Sequence, residues 1–128
     1  VFRDFAHAPS KVLATVQAVK TQFPDQPLLA CLELHTFSSL DPTFIAQYQS
    51  TLDAAERAIV FYDQQAVQAK GKQVPQTPTV KNAFQHKNVE VITDKDSLKS
   101  FLIKDSSSVW LLMSSGHFGG LSLSTILD

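Results

Sequence analysis

Leu28-Leu29-Ala30-Cys31-Leu32-Glu33-Leu34 is an apolar run interrupted by one carboxylate. A strand wetted on one face alternates apolar and polar residues. A near-continuous apolar run marks a strand covered on both faces, the condition of a parallel sheet. Arg57 to Tyr62 (RAIVFY) and Val109 to Met113 (VWLLM) repeat the pattern, and Val89 to Ile92 is a shorter example. Val1 to Ala6 (VFRDFA) alternates and reads as a further strand.

Helical spacing fills the gaps between these runs. Pro9 suits a first helical turn, where its missing N–H costs nothing. Val12, Val16, Val19 and Phe23 then make one apolar stripe, backed by Leu13, and Pro24 ends the helix. Asp41-Pro42 reads as N-cap and first helical residue, with Phe44, Ile45, Tyr48, Leu52 and Ala55 as the next stripe. The stretch from Asp63 to Thr79, with Gly71, Pro75 and Pro78, reads as a surface excursion holding at most one short helix. A short helix is expected from Thr79 to about Gln85. Thr93 with Asp96 resembles a capping box ahead of Leu98, Phe101 and Leu102. Leu121 to Leu127 is expected to be a closing helix. Strands alternating with helices predict an α/β, three-layer Rossmann-like domain. Its sheet is expected to be mostly parallel, with five to six strands flanked by helices.

Length and charge restrict the function. The chain has 128 residues, enough for one domain with a core and no metal or disulfide staple. Eleven basic and twelve acidic side chains leave a formal charge of −1, without the basic block of a nucleic-acid binder. No apolar run is long enough to span a bilayer. The single Cys31 excludes an internal disulfide and fits a reducing compartment. No basic-then-apolar leader opens the chain, so a cytoplasmic location is expected. The chain starts Val1-Phe2-Arg3, already strand-like and without Met, and reads as a domain of a longer protein.

Ligands of open parallel sheets bind beyond the carboxyl ends of the strands. Three of the four His residues fall there: His7, His35 and His117, with Gly116, Gly119 and Gly120. A glycine-rich turn lets a backbone approach a phosphate or a carboxylate, or it is only a tight connection. It is neither a G-x-G-x-x-G nor a G-x-x-x-x-G-K-[ST] loop. Three imidazoles also suit zinc, but no H-x-x-x-H pair or carboxylate at ligand spacing accompanies them, and no metal site is expected. Ser115-Gly116-His117 lacks the G-x-S-x-G elbow of a serine hydrolase. Cys31 reads as core. Asp4 reads as a solvated edge carboxylate or a loop cap. Glu33 requires a partner or an open cleft, since burying a lone carboxylate is expensive.

Three motifs, in order, carry a family resemblance. Asp4-Phe-Ala-His-Ala-Pro9 resembles the D-[YF]-[AG]-H-x-P opening of the C-terminal domain of the Mur ligases, the ATP-dependent ligases of peptidoglycan synthesis. Leu32-Glu33-Leu34-His35-Thr36-Phe37-Ser38-Ser39 falls where these ligases carry their second-strand loop. Met113-Ser-Ser-Gly-His-Phe-Gly-Gly120 resembles the M-S-[NS]-G-x-F-G-G turn of the branch that recycles murein peptide, with the L-alanine-adding branch next.

The resemblance implies that residues 1–128 are the C-terminal domain of a three-domain bacterial ligase. ATP would phosphorylate the carboxylate of UDP-N-acetylmuramate, and the amine of an amino acid or short peptide would attack the acyl phosphate. ATP and Mg²⁺ would be held mainly by a preceding domain, and the isolated chain would be inactive. Asp4 would bind ATP on its ribose side, and His7 would face the phosphates or the reacting groups as the catalytic residue. His35, Thr36, Ser38 and Ser39 would line the pocket of the incoming amine. Ser114, Ser115, Gly116, His117, Phe118, Gly119 and Gly120 would form its other wall through backbone N–H groups, near a substrate carboxylate. Upstream domains would be partners; nucleic acid and membrane would not. The chain departs from the pattern at Ala8, in place of a second His, at Thr36 in a loop lacking Arg, and at His117, in place of Gly.

Two readings compete. A receiver-type signalling module would be phosphorylated on Asp63, at the end of the third strand, but needs acidic residues after the first strand and a Lys after the fifth. Here those places hold His7 and Ser114-Ser115. The other rival is a ligase-fold domain that has lost its ligand.

Overall fold

The computed structural model describes residues 2–4, 8–34, 42–69, 77–104 and 109–114. Along the chain run β1 (Phe2–Asp4), α1 (Pro9–Gln22), β2 (Leu28–Glu33), α2 (Pro42–Ile45) and a 3-10 turn (Ala46–Tyr48). These are followed by β3 (Arg57–Phe61), α3 (Gln64–Ala69), α4 (Thr77–Phe84), β4 (Val89–Ile92), α5 (Lys95–Lys104) and β5 (Val109–Met113). The five strands form one sheet in the order β1-β5-β2-β3-β4, and every neighbouring pair is parallel.

This order dictates which face each helix covers. The connections from β1 to β2, β2 to β3 and β3 to β4 all move the same way across the sheet. The connection from β4 to β5 moves back. Right-handed crossovers therefore place α5 opposite the other helices. The packing agrees: Val12, Val16 and Val19 of α1, Ile45, Val67, Val80 and Phe84 share a core with Leu28, Ala30, Leu32 and Val60. Leu98 and Leu102 of α5 pack on the other face, with Leu29, Cys31, Ile59, Trp110 and Leu112. All of β2 is buried, as its apolar run predicts. Each fully buried Leu or Val is worth roughly 1.5–3 kcal/mol before entropy is subtracted. A receiver-type sheet has the order 2-1-3-4-5, so the strand order speaks against that rival.

Local details correct parts of the sequence reading. α1 begins as expected, with Ala8 extended at the N-cap and Pro9 in the first turn. Leu13, however, is exposed, because it lies 100° around the helix from the Val12 stripe. The helix expected from Asp41 through Ala55 stops early. Beyond Ile45 the chain tightens to 3-10 geometry, and Ser50 takes a φ of 64°. Thr51 turns both its amide (3.0 Å) and its hydroxyl (2.7 Å) onto the carbonyl of Tyr48. That side chain offers the backbone an alternative to helix. Tyr48, Leu52 and Ala55 are nevertheless buried, so their spacing signalled burial rather than helix.

The Asp63–Thr79 stretch holds α3, and α4 starts at Thr77 rather than Thr79. Asp94, not Thr93, caps α5: its Oδ2 accepts the amide of Ser97 at 2.9 Å. The expected closing helix at Leu121 to Leu127 lies outside the described residues.

Candidate functional site

The three strands that lead into the sequence motifs stand side by side. Asp4 is in register with Met113, and Met113 with Leu32. One residue further, the amide of Ser114 donates to the carbonyl of Asp4 at 3.1 Å, and the amide of Leu34 donates to the carbonyl of Phe61 at 2.8 Å. β1, β5 and β2 therefore end at one level of one sheet edge. Asp4 is exposed at that edge.

Behind Asp4 the edge turns inward. Glu33 is 3% exposed and Ser114 6% exposed, and the Ser114 hydroxyl donates to Glu33 Oε1. The register explains the meeting. Leu32 pairs with Met113, so the next residue on each strand, Glu33 and Ser114, faces its counterpart on the α5 side of the sheet. The sequence signalled that Glu33 needed a partner; which one became visible only with the strand order. Two residues back on that face, burial and then the Glu33 carboxylate push the Cys31 thiol upward. A thiol held protonated in the core is no nucleophile.

Of the residues singled out from the sequence, Asp4 and Ser114 are described and lie at this edge. His7, His35, Thr36, Ser38, Ser39, Ser115, Gly116, His117, Phe118, Gly119 and Gly120 lie outside the described residues. They are placed by connectivity alone, following Asp4, Leu34 and Ser114. The fourth imidazole, His86, serves the fold. Its Nδ1 accepts the amide of Asn88 at 2.9 Å, which leaves Nε2–H to donate to the carbonyl of Ala55 at 2.8 Å.

A second polar recess was not anticipated. It opens beyond β3 and β4, has a volume of about 500 Å³, and is lined by Asp63, Gln64, Gln65, Gln68, Thr93, Asp94, Lys95 and Asp96. It lies where the connection from β3 goes to one face of the sheet and that from β4 to the other. Amides occupy its carboxylates: Gln65 N–H donates to Asp63 at 3.1 Å, and the amide and hydroxyl of Ser97 hold the Asp94 carboxyl below its ordinary value. Among the described residues no three His, Cys, Asp or Glu side chains gather as metal ligands would, and no helix is long and apolar enough to cross a membrane.

No family model matches the chain. Among curated proteins it is 29% identical over 116 residues to the UDP-N-acetylmuramate–L-alanine ligase of Lactobacillus helveticus, covering 91% of the chain and 25% of that enzyme. It is 32% identical over 60 residues to the enzyme of the same name from Limosilactobacillus reuteri, covering 47% of the chain and 14% of that enzyme. The chain thus spans a quarter or less of these relatives' length. Among solved structures, a murein peptide ligase of Psychrobacter arcticus superimposes with a TM-score of 0.72 at 19% identity, over 96% of this chain and 26% of that one. A domain attributed to a UDP-N-acetylmuramate:L-alanyl-γ-D-glutamyl-meso-diaminopimelate ligase of Haemophilus ducreyi gives 0.65 at 24% identity, over 98% of this chain and 86% of that one. These two show the fold, and the curated relatives supply the sequence link. The chain is thus similar in sequence to UDP-N-acetylmuramate–L-alanine ligases and similar in fold to the two murein peptide ligase structures.

Proposed function

We propose that residues 1–128 form the C-terminal, substrate-closing domain of a longer, cytoplasmic, ATP-dependent ligase. The ligase joins the amine of an amino acid or short peptide to UDP-N-acetylmuramate through an acyl phosphate. One observation carries the reading. The strands that deliver the three motifs, β1, β5 and β2, are neighbours with their ends level, Asp4 and Leu32 both opposite Met113.

In this reading each segment has a task. Asp4, exposed on the rim, offers a carboxylate to the ribose hydroxyls of ATP, and His7 faces the phosphates and the reacting groups. His35, Thr36, Ser38 and Ser39 line one wall of the amine pocket. Ser114, Ser115, Gly116, His117, Phe118, Gly119 and Gly120 make the other, with Ser114 as its root. ATP supplies the phosphoryl group that activates the carboxylate. Mg²⁺ is held mainly by a preceding domain. The domain itself aligns the amine with the acyl phosphate and keeps water from hydrolysing it.

The Phe118-Gly119-Gly120 motif favours a peptide as the incoming amine. The names of the curated relatives favour L-alanine as the second reading. The protein that carries this chain, assayed for phosphate release with UDP-N-acetylmuramate, separates the two when offered L-alanine or L-alanyl-γ-D-glutamyl-meso-diaminopimelate. Release with the peptide is expected, and both Asp4→Ala and His7→Ala are expected to slow it by about tenfold or more. No release with either amine would mean a domain without its ligand. Parental rates in both variants would overturn the site assignment.

A further inference from the structure

His86, half-buried after α4, makes two hydrogen bonds that tie its ring to one protonation state. The amide of Asn88 donates to Nδ1 at 2.9 Å, so Nδ1 carries a lone pair, and Nε2–H donates to the carbonyl of Ala55 at 2.8 Å. That is the neutral imidazole. Protonation turns Nδ1 into a donor facing a donor, and the bond from Asn88 cannot survive it. The bond to Ala55 can, because Nε2 keeps its hydrogen.

The contact that depends on pH sits at the start of a sheet edge. Among the described residues β4 pairs with β3 alone, beginning with Val89 opposite Ala58. Asn88 leads into that pairing. Its carbonyl accepts the amide of Ala58 at 3.1 Å, and its Nδ2 donates to the carbonyl of Glu56 at 3.4 Å. The backbone beside it is strained: Gln85 and Ser50 hold left-handed conformations, with φ of 51° and 64°. Neither is glycine, and such conformations persist only where neighbouring contacts hold them. Here the Ser50 amide donates to the carbonyl of Phe84 at 3.1 Å, and Gln49 Nε2 donates to Gln85 Oε1 at 3.0 Å.

The charged groups of this region are Lys81 and Lys87 on either side of His86, Asp53 and Glu56 on either side of Ala55, and Glu90 on β4. Lys20 of α1 is paired with the Glu56 carboxylate. As classes, carboxylates change charge at about pH 4 and lysines above about pH 10, whereas imidazoles do so at about 6.5. We infer that His86 is an acid-sensitive latch: its neutral ring holds the start of β4 against β3, and uptake of a proton releases that end while the sheet centre stays closed. The latch lies at the amino-terminal ends of these parallel strands, opposite the edge where Asp4 and Ser114 stand.

Nuclear magnetic resonance on the isotopically labelled protein that carries this chain tests the latch. At about pH 7.5 the ring nitrogens of His86 should report the Nε2–H tautomer; the Nδ1–H tautomer overturns the inference. Protection factors, which remove the intrinsic pH dependence of exchange, should fall about tenfold for the Asn88 and Ala58 amides between about pH 7.5 and pH 5. Those of Ala30 and Leu32 should stay within about twofold. The midpoint of the fall should coincide with protonation of His86 read from its ring shifts. His86→Asn supplies an acceptor for the amide two residues on and does not titrate, so its Asn88 and Ala58 protection should be alike at both pH values. Unchanged protection in the parent overturns the inference. So does an equal fall in the Asn variant, which assigns the effect to another group, or an equal fall at Ala30 and Leu32, which marks general loosening. Should the variant not fold, the parent alone decides: a midpoint displaced from the ring titration overturns the latch.

Discussion

Tyr48 stacks on Phe84, ring centroids 5.2 Å apart and planes 23° from parallel. The pair joins the 3-10 turn after β2 to the last turn of α4, and Phe44 adds an edge-on contact to Tyr48 at 6.0 Å. Both rings of the stack are buried to within 1%. Phe84→Ala is expected to destabilise the chain by about 3–5 kcal/mol, the usual cost of emptying an aromatic site. Chemical denaturation checks this; a loss below about 1 kcal/mol would show that the stack is peripheral.

The Tyr48 hydroxyl makes the same place sensitive to alkali. Burial pushes it up to about 12 from an ordinary value of 10. The unfolded chain therefore releases this proton first as pH rises. The stabilising contribution is whole below pH 10 and is lost as pH climbs through 12. An offset of this size corresponds to roughly 2–3 kcal/mol. Tyr48→Phe is expected to flatten the fall in stability above pH 10, measured by denaturant midpoints across the alkaline range, with Tyr62 contributing in the same direction.

Asp94 gives the opposite dependence. Hydrogen bonds from the amide and hydroxyl of Ser97 hold its carboxyl below the ordinary 3.8. Its contribution to capping α5 is present above 3.8 and lost as pH falls through the lower, folded value. Asp94→Asn keeps a capping oxygen without the titration, so the acid limb of its stability profile should be shallower. An unchanged acid limb would assign that limb to other carboxylates.

Cys31 is predicted to be inert. It is fully buried in β2, and both burial and Glu33 hold the thiol protonated. Thiol reagents should label it only as fast as the native state opens, with the rate rising to that of a free thiol in denaturant. Rapid labelling of the native chain would contradict the buried position.

β2 and β1 are expected to differ in hydrogen exchange. Among the described residues β2 is paired on both sides, whereas β1 pairs only with β5 and is three residues long. The β1 amides should exchange well before those of Ala30 and Leu32. Equal protection would place β1 in the same cooperative unit as the sheet centre.

Much of this architecture was legible because burial on two faces writes itself as a continuous apolar run. Leu28–Leu34, Arg57–Tyr62 and Val109–Met113 marked strands for that reason, and Pro9 and Pro24 bounded α1. The turn after Ile45 was not legible. Phe44, Tyr48, Leu52 and Ala55 have helical spacing, and only Thr51 and Ser50, whose side chain and backbone favour a turn, carried the contrary signal. Local sequence is also silent on strand order. Glu33 could be recognised as needing a partner, but the insertion of β5 between β1 and β2 supplied it. The recess beyond β3 and β4 was missed for a similar reason. Asp63 and Asp94 are thirty-one positions apart and meet only through β3–β4 pairing.

The placement of β5 has a kinetic corollary. β1 finds its hydrogen-bonding neighbour only after more than a hundred intervening residues have been made and β5 has slotted in beside β2. During synthesis, β2, β3 and β4 can zip together in order while β1 waits as an unpaired ribbon. The edge that gathers Asp4, Glu33 and Ser114 is thus the last part of the sheet to exist. A nascent or truncated chain lacking β5 would hold a partial sheet without that edge, which takes shape only once translation has passed Ser114.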